Sequence, residues 1–332
     1  MGETISTHRA WRCHGFGDYH DLVMDQVPSR APAADQILVR NRAFALGFPD
    51  LLMVQGRYQL KPPLPFAPCT EFAGEVLAVG TEVARFTPGE RVMGSMRFGA
   101  AAERVTAAAS DCMHLPESFD YAHGAAFIIA YKTAYVGLVV RGGLRPDETV
   151  LVHGAAGGVG LAAVELAVAL GARVIAMASG QAKLDLVRAT GAHEVLDYAD
   201  GSFRERVKEF TDGRGVDVVY DPIGGDVFDE SLHCVAPFGR VLVIGFASGR
   251  IPTVKVNHAL LKQYAVIGVR AGEYGRVYPQ GGREVHAALE AWAASGRFTP
   301  HVHARLGFDE LLSGFDTIAA RRVMGRVVCE LP

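Results

Sequence analysis

The chain has 332 residues, 49% of them hydrophobic and 21% charged, with a net charge of −3. That balance supplies core material for one large or two ordinary domains, excludes a disordered chain, and lacks the basic excess of a nucleic-acid-binding face. The apolar stretch Gly124 to Tyr135 is too short to cross a bilayer and holds Lys132, and the polar start Met1 to Ala10 lacks a signal-peptide core, so a cytosolic protein with no membrane partner is expected.

Residues 1–126 read as short strands broken by Gly and Pro, among them Ile37 to Arg42 and Glu75 to Val79, with a turn at Phe86 to Val92 feeding another. The proline-rich segment Arg57 to Cys69 reads as an irregular loop. From residue 127 strands alternate with helices. Thr149 to His153 is a continuous apolar strand, as expected where helices cover both faces of a sheet. A helix follows with Val159, Ala162, Ala163, Leu166, Ala167 and Leu170 on one stripe, closed by Gly171. Next come strand Arg173 to Ala178, helix Gln181 to Thr190, strand Glu194 to Leu196, helix Ser202 to Phe210 and strand Val216 to Tyr220. Helix Asp226 to Val235 and strands Arg240 to Ile244 and Ala265 to Val269 complete the set. Six strands with helical crossovers are the count of a complete doubly wound α/β dinucleotide sheet, placed at 127–269. Residues 270–332 carry a helix around Arg283 to Ser295 and a strand, Gly325 to Cys329, expected to return to the first domain.

The run His153-Gly-Ala-Ala-Gly-Gly-Val-Gly160 lies between the first of these strands and its helix, with Ala155, Gly157 and Gly160 on the G-x-G-x-x-G template. Small residues there let the backbone approach a pyrophosphate, and the helix start offers N–H groups and a positive dipole end. An NAD site places Asp or Glu about 20 residues on, at the tip of the second strand. The tip here is Ala178-Ser-Gly-Gln181, without a carboxylate, while Ser179, Lys183 and Tyr198 could meet a 2′-phosphate. The five cysteines, Cys13, Cys69, Cys112, Cys234 and Cys329, are odd in number and widely spaced, which reads as reduced thiols.

The stretch Pro146 to Ala167, with Phe48 to Tyr58, Glu71 to Val76, Val219 to Gly225 and Ile244 to Gly249, resembles the zinc-free quinone oxidoreductase branch of the medium-chain dehydrogenase/reductase superfamily. The resemblance runs along almost the whole chain. It implies a GroES-like β domain plus a Rossmann doubly wound parallel sheet, with NADPH as cofactor. It further implies Gly157, Gly158 and Val159 on the pyrophosphate, and Ser179, Lys183 and Tyr198 on the 2′-phosphate. Thr133, Gly245 and Phe246 fall near the nicotinamide, and Arg321, with Arg322 adjacent, reaches the cofactor from the returning segment. Tyr58 is the candidate donor to a developing oxyanion, and Asp50 an orienting carboxylate. Tyr131 and Lys132, beside Thr133, are further polar candidates for the same site.

The chain departs from this pattern where relatives carry Asn and this chain has Gly47, which removes a hydrogen-bonding group and enlarges the pocket, and at Cys69-Thr70. In zinc-dependent relatives the ligand positions correspond to Gly47, Thr70 beside Glu71, and a position near Ile129, too few donors for catalytic zinc. His301 and His303 read as a surface strand pair. Without a Lewis acid, hydride transfer to a quinone or conjugated carbonyl is favoured over a plain ketone. An enoyl-thioester reductase and a non-catalytic NADPH-binding protein are the alternatives. By analogy a homodimer is expected through the edge strand Tyr264 to Arg270.

Overall fold

The computed structural model describes residues 7–200 and 202–332. They form two compact units: residues up to Ile128 together with Glu290–Pro332, and Ile129–Leu289.

The first unit opens with β1 (Thr7–Arg12) and β2 (Val23–Pro28), an antiparallel pair. Then come β3 (Gln36–Leu46), α1 (Phe48–Val54), β4 (Glu71–Val79), β5 (Arg91–Ser95), β6 (Arg104–Ala108) and β7 (Cys112–His114). The boundary falls inside α2 (Tyr121–Ala134), which continues as π-helix through Arg141. That continuation corrects the short apolar run expected from sequence. Among the described residues Tyr121–Arg141 is long and apolar enough to cross a membrane, although 61% of its most apolar window is buried inside the protein. Burial continues past Tyr135, through Val136, Gly137 and Leu138.

The second unit runs through β8 (Thr149–Val152), α3 (Gly158–Ala169), β9 (Arg173–Ala178), α4 (Gln181–Ala189), β10 (Glu194–Asp197) and α5 (Phe203–Phe210). It continues with β11 (Val216–Asp221), α6 (Gly225–Cys234), β12 (Val235–Val243), α7 (Val256–Lys262), β13 (Ala265–Gly268), α8 (Ala271–Val277) and α9 (Pro279–Ala294). All six strands pair in parallel, in the order β10-β9-β8-β11-β12-β13. The chain therefore leaves β8 toward β9 and later returns to β8's other side as β11, a topological switch point at the strands' carboxyl ends. β8 and β11 are buried throughout, which is why they read as unbroken apolar runs. α3 is buried more widely than one stripe, because Leu161 and Val164 are covered as well.

The chain then returns to the first unit as β14 (Val302–Gly307), α10 (Leu311–Ala319) and β15 (Arg326–Glu330). β15 pairs antiparallel with β3, and the sheet order is β14-β15-β3-β4-β5-β7 with β6 on β3. The second unit extends to Leu289, and the return to the first unit begins at Glu290, inside α9, rather than at 270. α10, not foreseen from sequence, buries Leu311, Phe315 and Ile318, an i, i+4, i+7 stripe.

Candidate functional site

Beyond β8 the backbone is tied on both sides. The His153 N–H donates to the Tyr220 carbonyl at 3.0 Å and the Ala155 N–H to the Met177 carbonyl at 2.9 Å. The Gly157 N–H donates to the Gly154 carbonyl at 3.0 Å, closing the turn, and Gly154 sits at φ +56°. A Cβ at Gly160 would lie 2.2 Å from the Gly154 carbonyl oxygen and 2.7 Å from Ala155 Cα, so α3 can start this close to the turn only with glycine there. Gly157 precedes α3 in extended conformation and brings no side chain. The first N–H groups of the helix, Gly158 and Val159 among them, have no acceptor within it, and the dipole adds positive potential. This cradle, next to the switch point, fits a pyrophosphate.

At the end of β9, Ser179 is exposed, Lys183 is half-buried in the first turn of α4, and burial pulls the Lys183 ammonium below its usual range. The tip is not free of acid. Asp197 pairs in register with Ala178, and its Oδ2 accepts the Gly180 N–H at 2.7 Å. Its Oδ1 accepts the Ala199 N–H at 2.9 Å, and these two bonds hold the carboxyl below the ordinary range. A window counted along the chain from the turn misses this carboxylate, because strand pairing, not sequence distance, delivers it. Tyr198 is also not at the rim: its hydroxyl accepts the Gly154 N–H at 2.9 Å and lies 3.2 Å from His153 Nδ1.

Gly245 follows β12 and donates its N–H to the Asp221 carbonyl at 3.3 Å, while Phe246 lies against Gly224. The buried Asp221 carboxyl accepts the Ile223 N–H at 2.7 Å and the Gly224 N–H at 3.0 Å, and burial pushes it up to about 6. Thr133 donates its hydroxyl to the Ile129 carbonyl one turn back, at 2.7 Å. Tyr131 turns into the core and donates to Glu165, whose carboxyl burial pushes up to about 7. Tyr131 is thereby corrected from a site donor to a core side chain. Lys132 is half-buried.

In the first unit the strand register assembles a buried ionic group. Ala45 pairs with Glu71 across β3 and β4, and Leu46 with Val327 across β3 and β15. Gly47, Glu71 and Arg326 therefore converge at one end of a three-strand ladder. Arg326 forms an ion pair with Glu71, and Asp50 Oδ2 accepts the Gly47 N–H at 2.7 Å, capping α1. Asp50, Glu71 and Arg326 are all buried. Burial pushes the Asp50 carboxyl up to about 7, against the opposing pull of Arg326 and the Gly47 N–H. Asp50 Oδ1 and Arg326 Nε are buried without a partner.

In the returning segment Arg326 is buried, while Arg321 and Arg322 are exposed just past α10. One expectation changes here: Gly47 does not enlarge a pocket. A Cβ at position 47 would lie 3.1 Å from Arg326 Nη1 and 3.3 Å from Asp50 Oδ2, so the guanidinium fills that space. Tyr58 is half-buried and packs against the first unit's core. Among the described residues no group of three or more His, Cys, Asp or Glu is placed to hold a metal.

A GroES-like β unit and a six-stranded parallel sheet with a glycine turn at its switch point define an oxidoreductase of the medium-chain dehydrogenase/reductase type. The model of the zinc-binding dehydrogenase family matches residues 158–289, and that of the alcohol dehydrogenase GroES-like domain matches residues 33–117. The chain is 37% identical over 325 residues to a quinone oxidoreductase-like protein 2 homolog of Nematostella vectensis, covering 97% of this chain and 88% of that protein. It is 37% identical over 301 residues to a quinone oxidoreductase of Pseudomonas aeruginosa, covering 90% and 91%. A mycobacterial protein solved in complex with NADPH superposes with a TM-score of 0.90 at 30% identity, over 98% of this chain and 100% of that one. The chain belongs to the quinone oxidoreductase family of the medium-chain dehydrogenase/reductase superfamily.

Proposed function

We propose that this oxidoreductase is a cytosolic enzyme that uses NADPH to reduce a quinone or another conjugated carbonyl compound, without a catalytic metal. The observation that carries the metal-free reading is the Arg326 guanidinium beside Gly47. In zinc-dependent relatives the corresponding residue is a ligand. Here glycine offers no donor side chain and leaves the space to the Arg326 guanidinium, which cannot ligate a metal, and Thr70 replaces the histidine. The dinucleotide, when bound, supplies a hydride. A conjugated acceptor spreads the resulting negative charge to a distant oxygen, so the protein needs to position the partners more than to polarise them.

For the cofactor's adenosine end, Ser179 and Lys183 support NADPH. Asp197 has both oxygens turned onto backbone N–H groups, which makes it a cap of the β9 tip. Lys183→Ala is expected to raise the KM for NADPH about tenfold, with NADH changed less than twofold, as loss of one charge-assisted contact requires. An equal effect on both cofactors, or a parent preference for NADH, would reassign the site to Asp197 and a ribose hydroxyl.

The reaction class is tested by following NADPH oxidation against a panel of quinones, enones, enoyl-CoA esters and plain ketones, before and after exhaustive chelation. Turnover restricted to conjugated acceptors and indifferent to chelation is expected. Activity that chelation abolishes would refute the metal-free reading, and tight NADPH binding without turnover on any acceptor would mark a binding protein.

We also propose that the protein pairs with a second copy through β13, the open edge of the parallel sheet. Val266 on that strand and Val256, Leu260 and Leu261 on the adjoining α7 are exposed apolar side chains. Sedimentation equilibrium should give twice the chain mass, and Leu260→Lys with Leu261→Lys should give monomers; a monomeric parent would refute the pairing.

A further inference from the structure

Asp197 ends β10, one strand away from the tip that carries Ser179 and Gly180. Its Oδ2 accepts the Gly180 N–H at 2.7 Å, and its Oδ1 accepts the Ala199 N–H at 2.9 Å. Gly180 holds φ +83° immediately before α4, and its carbonyl accepts the Lys183 N–H at 3.1 Å. One carboxylate oxygen therefore fixes the peptide between Ser179 and Gly180, and through Gly180 the turn on which Lys183 stands. The same carboxylate brings a charge. Both of its hydrogen-bond partners are neutral backbone amides, and they favour its ionised form. They orient the charge without cancelling it. The Gly180 nitrogen is bonded to the Ser179 carbonyl carbon, so a phosphate touching the Ser179 hydroxyl lies about 7 Å from the carboxylate, by bond lengths and hydrogen-bond distances alone. A phosphate monoester there carries about −1.5 to −2 at pH 7, whereas a ribose hydroxyl carries no charge.

We infer that Asp197 sets how strongly this protein prefers NADPH over NADH: it builds the tip for both dinucleotides, and its charge opposes the 2′-phosphate that Ser179 and Lys183 attract. The inference rests on the NADPH reading above. Like charges at this separation, in exposed surroundings, weaken NADPH binding about fivefold at low salt. Lys183 outweighs that repulsion because its ammonium acts at contact distance, where the same law gives a larger attraction. NADH lacks the 2′-phosphate and responds only to the placing of the tip.

The test is the dissociation constants of NADPH and NADH, measured by calorimetry for the parent, Asp197→Asn and Asp197→Ala. Each is taken at about 0.01 M and about 1 M salt, where the screening length is about 30 Å and about 3 Å. Both variants lose the charge, so the preference for NADPH over NADH is expected to rise about fivefold in each at low salt and to return to the parent's value at high salt. The placing of the tip is measured by NADH alone. Alanine leaves the Gly180 N–H without its acceptor and should weaken NADH about threefold, while asparagine keeps one acceptor oxygen and should change NADH by less than about twofold. A preference that stays level or falls in both variants overturns the inference. So does a rise that persists at high salt, which loss of an acceptor for a ribose hydroxyl would give. A parent that prefers NADH sinks the 2′-phosphate reading itself, whereas a parent that prefers NADPH with an unmoved ratio refutes only the role of Asp197.

Discussion

Gly160→Ala is expected to weaken NADPH binding by more than about 100-fold while leaving the sheet intact. The added Cβ would sit 2.2 Å from the Gly154 carbonyl oxygen, and that neighbour is backbone, not the end of a mobile side chain. Either α3 moves off the turn or the turn opens. Both displace the helix-start N–H groups from a common pyrophosphate. Hydrogen bonds to a charged acceptor contribute roughly 1.5–3 kcal/mol each, so losing two exceeds 100-fold. Titration of NADPH by fluorescence, with far-UV circular dichroism as the control for folding, measures the effect. A dissociation constant within about threefold of the parent's would mean that the turn is not the dinucleotide site. Gly157 is the contrasting position: a Cβ there meets only the Gly154 carbonyl oxygen, at 3.4 Å. Alanine at 157 should therefore cost far less than alanine at 160.

The largest stability effect is expected from Arg326→Ala. It removes the ion-pair partner of Glu71, buried at 0% exposure, and the cation beside Asp50, at 1%. Breaking a buried pair from one side costs about 3–5 kcal/mol, which lowers Tm by on the order of 10 °C in a protein of this size. Adding Glu71→Gln to the variant should recover much of the loss, because it takes away the buried charge that Arg326 balanced. Unchanged Tm in the single variant would show that the pair is exposed or redundant. Asp50 gives the cluster a pH dependence whose sign is fixed by its raised carboxyl, about 7 against an ordinary 3.8. A group raised on folding favours the folded state fully below its unfolded value and loses that contribution as pH rises through its folded value. Stability carried by Asp50 therefore falls between about pH 4 and pH 7. The Asp50→Asn variant keeps an acceptor for the Gly47 N–H but cannot ionise. Its Tm relative to the parent should rise from pH 5 to about pH 8, and a constant difference would show that Asp50 does not titrate there.

His153 has the opposite sign. Its pKa is pulled down to about 3 from 6.5 by burial alone, so its share of stability is complete above about 6.5 and is lost as the pH falls toward 3. Asp50 and His153 thus oppose each other in the acid range. One lies in each unit, so thermal unfolding resolved by unit would separate their slopes.

Local and nearest-neighbour features of this protein could be read from its residues alone. The central parallel strands β8 and β11 were legible because burial on both faces leaves an unbroken apolar run with no alternation to confuse it. The glycine turn was legible because close backbone approach tolerates only small side chains, and that constraint is local. Helices α1 and α10 were harder. α1 is only seven residues long and is started by the Asp50 cap, and the α10 stripe of Leu311, Phe315 and Ile318 sits in a segment with few other signals.

What the tertiary structure decided is where chain-distant groups meet. Asp197 reaches the β9 tip because β10 pairs in register with β9. Arg326 reaches Glu71 and Gly47 because β15 and β4 flank β3. Tyr198 lies under the turn because its hydroxyl satisfies the Gly154 N–H, a requirement visible only once every backbone group has been assigned a partner. Spacing along a chain carries the periodicity of helices and strands. The register between strands is set by side-chain packing on the two faces, a property of pairs of segments that neither segment holds alone.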